Sequence, residues 1–281
     1  MYGDSEDLLG KWFAANPEKR QDIFLATKFG IGLEGGKNHT VDSSAEYCRQ
    51  AIERSLKRLG LPSVDLYYIH RLDKVTPIEK TIQVMADLKL EGKIGHIGLS
   101  ECSADSLRRA HAVHPITCVQ MEYSPFALDI ESPQYRLLDT ARELGVAVVA
   151  YSPLGKGLLG GAIRNREDFT KPGDMRPMLP WFAEENLAKN TAVVDRIAGI
   201  AASKGITTAQ ATLAWILAQG DDIFAIPGTT KIHRLEENLG SLDVVLTPEE
   251  ETSIRKVAVD VVGARMPDFA RPNCFSDTPA L

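Results

Sequence analysis

Six short apolar runs punctuate the chain: IFLAT (23–27), VDLYYI (64–69), IGHIGL (94–99), ITCVQ (116–120), VAVVAY (146–151) and IFAIP (223–227). They are nearly continuous in Val, Ile, Phe and Tyr rather than alternating, which predicts strands buried on both faces of a parallel sheet. Between them, residues 43–60, 77–92, 103–113 and 134–145 carry apolar side chains at spacings of three and four, the pattern of amphipathic helices. Gly60, Gly92 and Gly145 stand where helices end, and the serines of SSAEY and SADSL stand where they begin.

Strand–helix alternation predicts a parallel α/β sheet, either doubly wound or closed into a barrel. Lys28, His70, Ser100, Gln120, Tyr151–Ser152 and Gly228–Thr229 all fall at or just beyond the ends of the apolar runs. Polar residues spread over so many strand ends fit the common rim of a (β/α)8 (TIM) barrel better than the single switch point of an open sheet. Residues 161–190 have no strand period and are broken by prolines, so they predict a long functional loop over that rim.

Charge and cysteine usage narrow the chemistry. A net charge of -6 over 281 residues argues against a nucleic-acid surface. Cys48, Cys102, Cys118 and Cys274 lie far apart with no CxxC pair, so neither a disulfide framework nor a zinc site is expected. His111 and His114 are spaced as two ligands on a helix but lack a third, and no metal is expected. The acidic N-terminal stretch has no apolar signal segment, and ATLAWILA (211–218) is far short of a membrane span, which points to a cytoplasmic protein. GKGLLG (155–160) matches GxGxxG after a strand, yet SPL separates the glycines from that strand and no second strand with a terminal acid follows. It reads as a flexible loop over a phosphate, not as a Rossmann turn.

Tyr2, Lys28 and His70 together form a candidate proton-donating site. A phenol with a pKa near ~10 is a poor acid at neutral pH, and an adjacent ammonium lowers that pKa by favouring the phenolate. A neutral imidazole beside them would orient a carbonyl oxygen by hydrogen bonding.

The stretches YGDSEDLLG, ATKFG, DLYYIHRLD, GKIGHIGLSE, VQMEYSPF, VVAYSPLGKG and IPGTTKIHRLEENLG, in this order from Tyr2 to about residue 258, resemble the aldo-keto reductase superfamily, in its fungal and plant-like NADP-dependent branch. The resemblance implies one (β/α)8 barrel domain over 1–281 with a C-terminal tail from about 259, acting as a monomer. It implies metal-free reduction of aldehydes or ketones by NADPH. Tyr2 then resembles the general acid, Lys28 the lysine beside it and His70 the carbonyl-orienting histidine. Ser100 and Gln120 match residues holding the nicotinamide carboxamide, and Tyr151 the aromatic stacked on its ring. Ser152, Leu154 and Gly157 match the strap over the pyrophosphate.

The last motif carries a physical reading of its own. In GTTKIHRLEEN, Thr229 or Thr230, after Gly228, would open a helix whose free N–H groups attract phosphate. Lys231 and Arg234 would lie one turn apart on one face, suiting a 2′-phosphate and favouring NADPH over NADH. Glu237 and Asn238 would bind the adenine. Trp181 and Phe182 would line the substrate pocket, and many relatives carry a basic residue at position 181.

The family has an Asp five residues before the tyrosine, and Tyr2 is the second residue here. The resemblance therefore implies a barrel lacking its first strand, first helix and most of its second strand. Such a barrel has unpaired edges. The expectation is weak NADPH binding and impaired turnover. The competing reading, from another class, is a non-catalytic nicotinamide-nucleotide-binding subunit or vestigial fragment.

Overall fold

Across four parallel strands the register sets Lys28 opposite Tyr68, Tyr68 opposite Gly98, and Gly98 opposite Cys118. A computed structural model gives this arrangement, describing residues 3–34 and 38–281. The residues fall into two compact units. One comprises the chain up to Gln120 with Asp139–Val146 and Asn273–Leu281; the other comprises Met121–Leu138 and Ala147–Pro272.

In chain order the elements up to the middle of the molecule are α1 (Ser5–Ala15), β1 (Ala26–Phe29), β2 (Ile31–Glu34), β3 (Asn38–Val41), α2 (Ala45–Leu59), β4 (Val64–Ile69), α3 (Ile78–Leu90), β5 (Ile94–Ser100), α4 (Ala104–Val113), β6 (Cys118–Glu122) and α5 (Leu137–Glu143). In the first unit β1, β4, β5 and β6 are parallel neighbours in that order. β4 is buried at every position but Asp65, as its unbroken apolar run requires. The helices end as their sequence signals dictate. Ser44 and Ser103 cap α2 and α4 by accepting the amides of Tyr47 and Ser106, and Gly60 turns the chain out of α2 in the left-handed region.

Gly98 explains the row across the four strands. A Cβ there would sit 2.5 Å from the Tyr68 ring, so only glycine lets that ring lie flat across β5. The Tyr68 hydroxyl then accepts the Cys118 thiol at 3.1 Å. Each apolar side chain buried along these strands contributes about 1.5–3 kcal/mol.

Two elements differ from the sequence pattern. The first strand begins at Ala26 rather than at Ile23. The Leu25 amide is taken at 2.7 Å by the Asp65 carboxylate, and Phe24 points outward, 62% exposed. An antiparallel hairpin, β2 with β3, follows β1 and was not expected. Its strands run through glycine-rich, polar sequence that lacks the signature of a buried strand.

The second unit contains β7 (Ala147–Tyr151), α6 (Glu184–Ser203), α7 (Thr208–Leu217), β8 (Ile223–Ala225), α8 (Ile232–Leu239) and α9 (Pro248–Lys256). β7 and β8 pair in parallel, Val148 against Ile223 and Ala150 against Ala225. The expected long loop contains 3-10 turns at Arg166–Phe169, Arg176–Met178 and Pro180–Phe182, and α6 begins at Glu184, so the end of residues 161–190 is helical. Phe169 and Phe182 anchor it, both buried and edge-to-face at 5.3 Å.

Candidate active site

In the first unit the strand ends of β1, β4 and β5 gather cations around a neutral imidazole. Lys28 lies in β1, one residue before its end, and its ammonium stands 5.4 Å from the centroid of the Tyr68 ring. Burial, reinforced by the Arg71 guanidinium, pulls the Lys28 pKa below its usual value. His70 follows β4 directly, and its amide donates to the Phe29 carbonyl at 2.7 Å, tying the ends of β4 and β1 together. Burial, with Arg71 and Lys28 beside it, pushes His70 down to about 3, so the ring is neutral at physiological pH.

Arg71 organises this rim. Its Nη1 donates to the His70 carbonyl at 2.8 Å and to the Ser100 hydroxyl at 3.3 Å. Ser100 is the last residue of β5 and is buried opposite Gln120. Gln120 is interior to β6 rather than at its end, because that strand runs on to Glu122. Next to Ser100, the buried Glu101 takes a left-handed φ of 51°, held by its amide to the Gln120 carbonyl and its carbonyl to the Ser276 amide. Non-glycine residues persist there only when their surroundings over-determine them. Tyr2, the expected acid, lies outside the described residues.

In the second unit Tyr151 closes β7, and the chain turns sharply through Ser152 at φ 48°. The loop that follows is tight. The Gly155 amide donates to the Ser152 carbonyl at 2.9 Å, and the amides of Gly157 and Leu159 donate to the Leu154 carbonyl. Gly155, Lys156 and Gly157 are consecutively left-handed, which the two glycines tolerate and the lysine does not favour. No helix of Rossmann type follows, as the spacing of SPL predicted.

This loop borders a cavity of about 370 Å³. Leu154 and Gly157 line it on one side, with Gly228, Thr229, Arg234, Glu237 and Asn238 on the other. Arg176, from the long loop, lies against Gly157 and lines it too. Its Nε donates to Asp174 at 2.9 Å, and that bond raises the Arg176 pKa. Arg234 pairs with Glu237 at 2.7 Å. Two guanidiniums, glycine backbone and the start of α8 around one cavity form a donor set that fits a phosphate-bearing dinucleotide.

One detail of the α8 motif differs from the sequence reading. The helix begins at Ile232 with Lys231 at its cap in extended conformation, so neither threonine caps it. Instead Thr229 Oγ1 accepts the Lys231 amide at 3.1 Å. Lys231 and Thr230 are exposed and do not line the cavity, and Arg234 does. Lys231 lies outside the helix, so it cannot share a helical face with Arg234. Sequence reasoning missed Arg71, Arg176, Lys156, Glu122 and Arg265. Of these, only Arg71 and Lys156 carried a signal, each adjoining a residue already singled out.

No helix among the described residues is long and apolar enough to cross a membrane. Among those residues, no group of three or more His, Cys, Asp or Glu side chains is arranged to hold a metal ion. His111 instead accepts the Ile116 amide, and His114 ends α4.

Comparison with known proteins fits this geometry. Residues 1–259 match the model of the Aldo/keto reductase family. Aldo-keto reductase str7 of Strobilurus tenacellus is 52% identical over 258 residues, covering 92% of this chain and 75% of that protein. Aldo-keto reductase yakc [NADP(+)] of Schizosaccharomyces pombe is 44% identical over 284 residues, covering 100% and 83%. Among solved structures, the glycerol dehydrogenase AKR11B4 from Gluconobacter oxydans superposes with a TM-score of 0.82 at 29% identity, covering 92% of this chain and 78% of that one. The thermostable aldo-keto reductase Tm1743, solved with the inhibitor epalrestat, gives 0.70 at 27% identity, covering 91% and 78%. The fold class is the α/β barrel type of those enzymes.

Proposed function

The chain belongs to the aldo/keto reductase family, and from that premise we propose that it reduces aldehydes or ketones to alcohols with NADPH. The observation that carries the reading is that Lys28 and His70 stand at the adjoining ends of β1 and β4, with Arg71 bonding the His70 carbonyl and Ser100. When bound, the dinucleotide supplies the hydride that adds to the carbonyl carbon.

The chain's own residues do the rest. His70, neutral, hydrogen-bonds the carbonyl oxygen and orients it without adding a full charge. Lys28 stabilises the phenolate of Tyr2, so that the phenol releases its proton to the developing alkoxide. Arg71 holds the His70 carbonyl and the Ser100 hydroxyl in register, so Ser100 and Gln120, which would bind the carboxamide, keep their place beside His70. Tyr151 would hold the nicotinamide, and Ser152, Leu154 and Gly157 the pyrophosphate. Arg176 and Arg234, which line the cavity, would hold the phosphates, with Arg234 favouring the 2′-phosphate of NADPH, and Glu237 and Asn238 would hold the adenine. The yakc relative carries NADP(+) in its name, which supports the cofactor. We extend the reading to a monomeric cytoplasmic enzyme, in keeping with cysteines that lie far apart in sequence with no CxxC pair.

NADPH fluorescence titration followed by single-turnover reaction with a reactive aldehyde tests it. Saturable binding and one equivalent of NADPH oxidised are expected. Binding without oxidation would instead support a non-catalytic nucleotide-binding subunit.

A further inference from the structure

We infer that Glu122 is a latch for the glycine loop, a buried carboxylate whose grip on Lys156 sets the rate at which the loop releases what it covers. The inference deepens the dinucleotide reading and rests on it.

The Glu122 side chain has no exposed surface, and each of its carboxylate oxygens meets a different cation. Oε1 takes the Lys156 ammonium, from the middle of the glycine loop. Oε2 takes Arg265 Nη1 at 3.3 Å, from the C-terminal tail. A carboxylate removed from water is tolerable only when such partners compensate it, and losing one partner is strongly unfavourable.

The loop needs this hold. Gly155, Lys156 and Gly157 stand at φ 55°, 56° and 97°, and Lys156 carries a side chain in a region that disfavours one. The conformation persists because the lysine is pulled inward: its ammonium reaches Glu122 and lies 4.8 Å from the centroid of the Trp181 ring. Trp181 is buried, with its indole N–H on the Gly263 carbonyl at 3.1 Å. Two residues along, Arg265 also donates to the Tyr151 hydroxyl at 3.2 Å. One carboxylate thus ties together the glycine loop, the Trp181 turn, the tail and the aromatic residue that ends β7.

The consequence is local. Leu154, Gly157 and Gly160 of this loop line the 370 Å³ cavity. With Lys156 released, the left-handed run relaxes and that wall of the cavity opens. Glu122 and Lys156 touch no reacting atom, so they are positioning residues: they govern cofactor residence, not the chemical step.

The experiment compares wild type with Lys156→Met, Lys156→Arg and Glu122→Gln. Hydrogen–deuterium exchange of residues 152–161 is measured without cofactor, and NADPH release is measured by stopped flow. Lys156→Met is expected to speed both loop exchange and NADPH release about tenfold, the scale of a lost charge-assisted hydrogen bond. Lys156→Arg keeps the cation and is expected to restore both. Glu122→Gln is expected to act in the same direction, and the double variant Glu122→Gln/Lys156→Met to release NADPH no faster than Lys156→Met, as for a single shared contact. Should Lys156→Met leave loop exchange unchanged, the latch is overturned, even if Glu122→Gln fails to fold. Faster loop exchange in a chain that binds no NADPH would keep the latch and refute the dinucleotide reading.

Discussion

Lys28 in the first unit and Arg176 in the second are both half-buried cations beside candidate sites, and their proton affinities move in opposite directions. Burial and the Arg71 guanidinium depress Lys28. The Asp174 carboxylate raises Arg176. Ion pairing recurs in the second unit, with Arg234 on Glu237 and Lys156 on Glu122. On the rim of the first unit, by contrast, burial and the Arg71 guanidinium lower both Lys28 and His70, and Lys28 adds to the effect on His70. Compensated cations bind a charged ligand rigidly without changing their own state. Cations crowded out of water keep a stronger field on whatever enters, which suits proton transfer. Under the proposed function, the contrast would set a binding region apart from a reacting one.

Three substitutions press on that contrast, in descending order of effect. Lys28→Met is expected to lower kcat for carbonyl reduction about a thousandfold, within the usual range for losing general-acid assistance. Stability is expected to hold or rise, since an uncharged side chain replaces a cation that burial penalises. A variant that loses stability but keeps turnover would make Lys28 structural. Steady-state kinetics alongside urea melts decide it.

His70 is next, and here the sign can be worked out. Its folded pKa, about 3, lies below the ordinary value of 6.5. Between those values the unfolded chain binds the extra proton, so stability rises with pH. The contribution is intact above the unfolded pKa and is lost as pH falls below it, toward the folded value. Between pH 7 and pH 5 the loss is about 2 kcal/mol. Urea unfolding at the two pH values should show a slope that His70→Gln flattens. Equal slopes in both proteins would mean that the imidazole is not kept neutral by its surroundings.

Arg234→Met is the mildest test. NADPH affinity is expected to fall about tenfold, with NADH nearly unaffected, as for loss of one charge-assisted phosphate contact. Equal losses for both cofactors would place Arg234 on the pyrophosphate instead. Fluorescence titration distinguishes the two.

Much of this was legible beforehand, for identifiable reasons. β4 announced itself because burial on both faces leaves a nearly unbroken apolar run, and β7, although buried only at alternate positions, is apolar throughout. The caps of α2 and α4 announced themselves because orphan amides select serine. The first strand was read too early because Phe24 looks like core in sequence and is exposed in the fold. The β2–β3 hairpin, IGLE with NHTV, lacks the apolar run that signals a buried strand. Arg176, Arg265 and Glu122 were invisible because a charge in sequence does not reveal whether it ends in solvent or beneath a loop.

The chain's local pattern by itself determined the alternation of apolar strands with helices, the caps of α2 and α4, the family and the residue types near the strand termini, since these follow from periodicity, capping and short motifs. Tertiary structure alone decided which groups share an environment: that Gly98 admits the Tyr68 ring, that Arg71 crowds His70, and that Glu122 holds Lys156 and Arg265. Burial and electrostatic fields are sums over neighbours distant in the chain, and no window of sequence contains those neighbours.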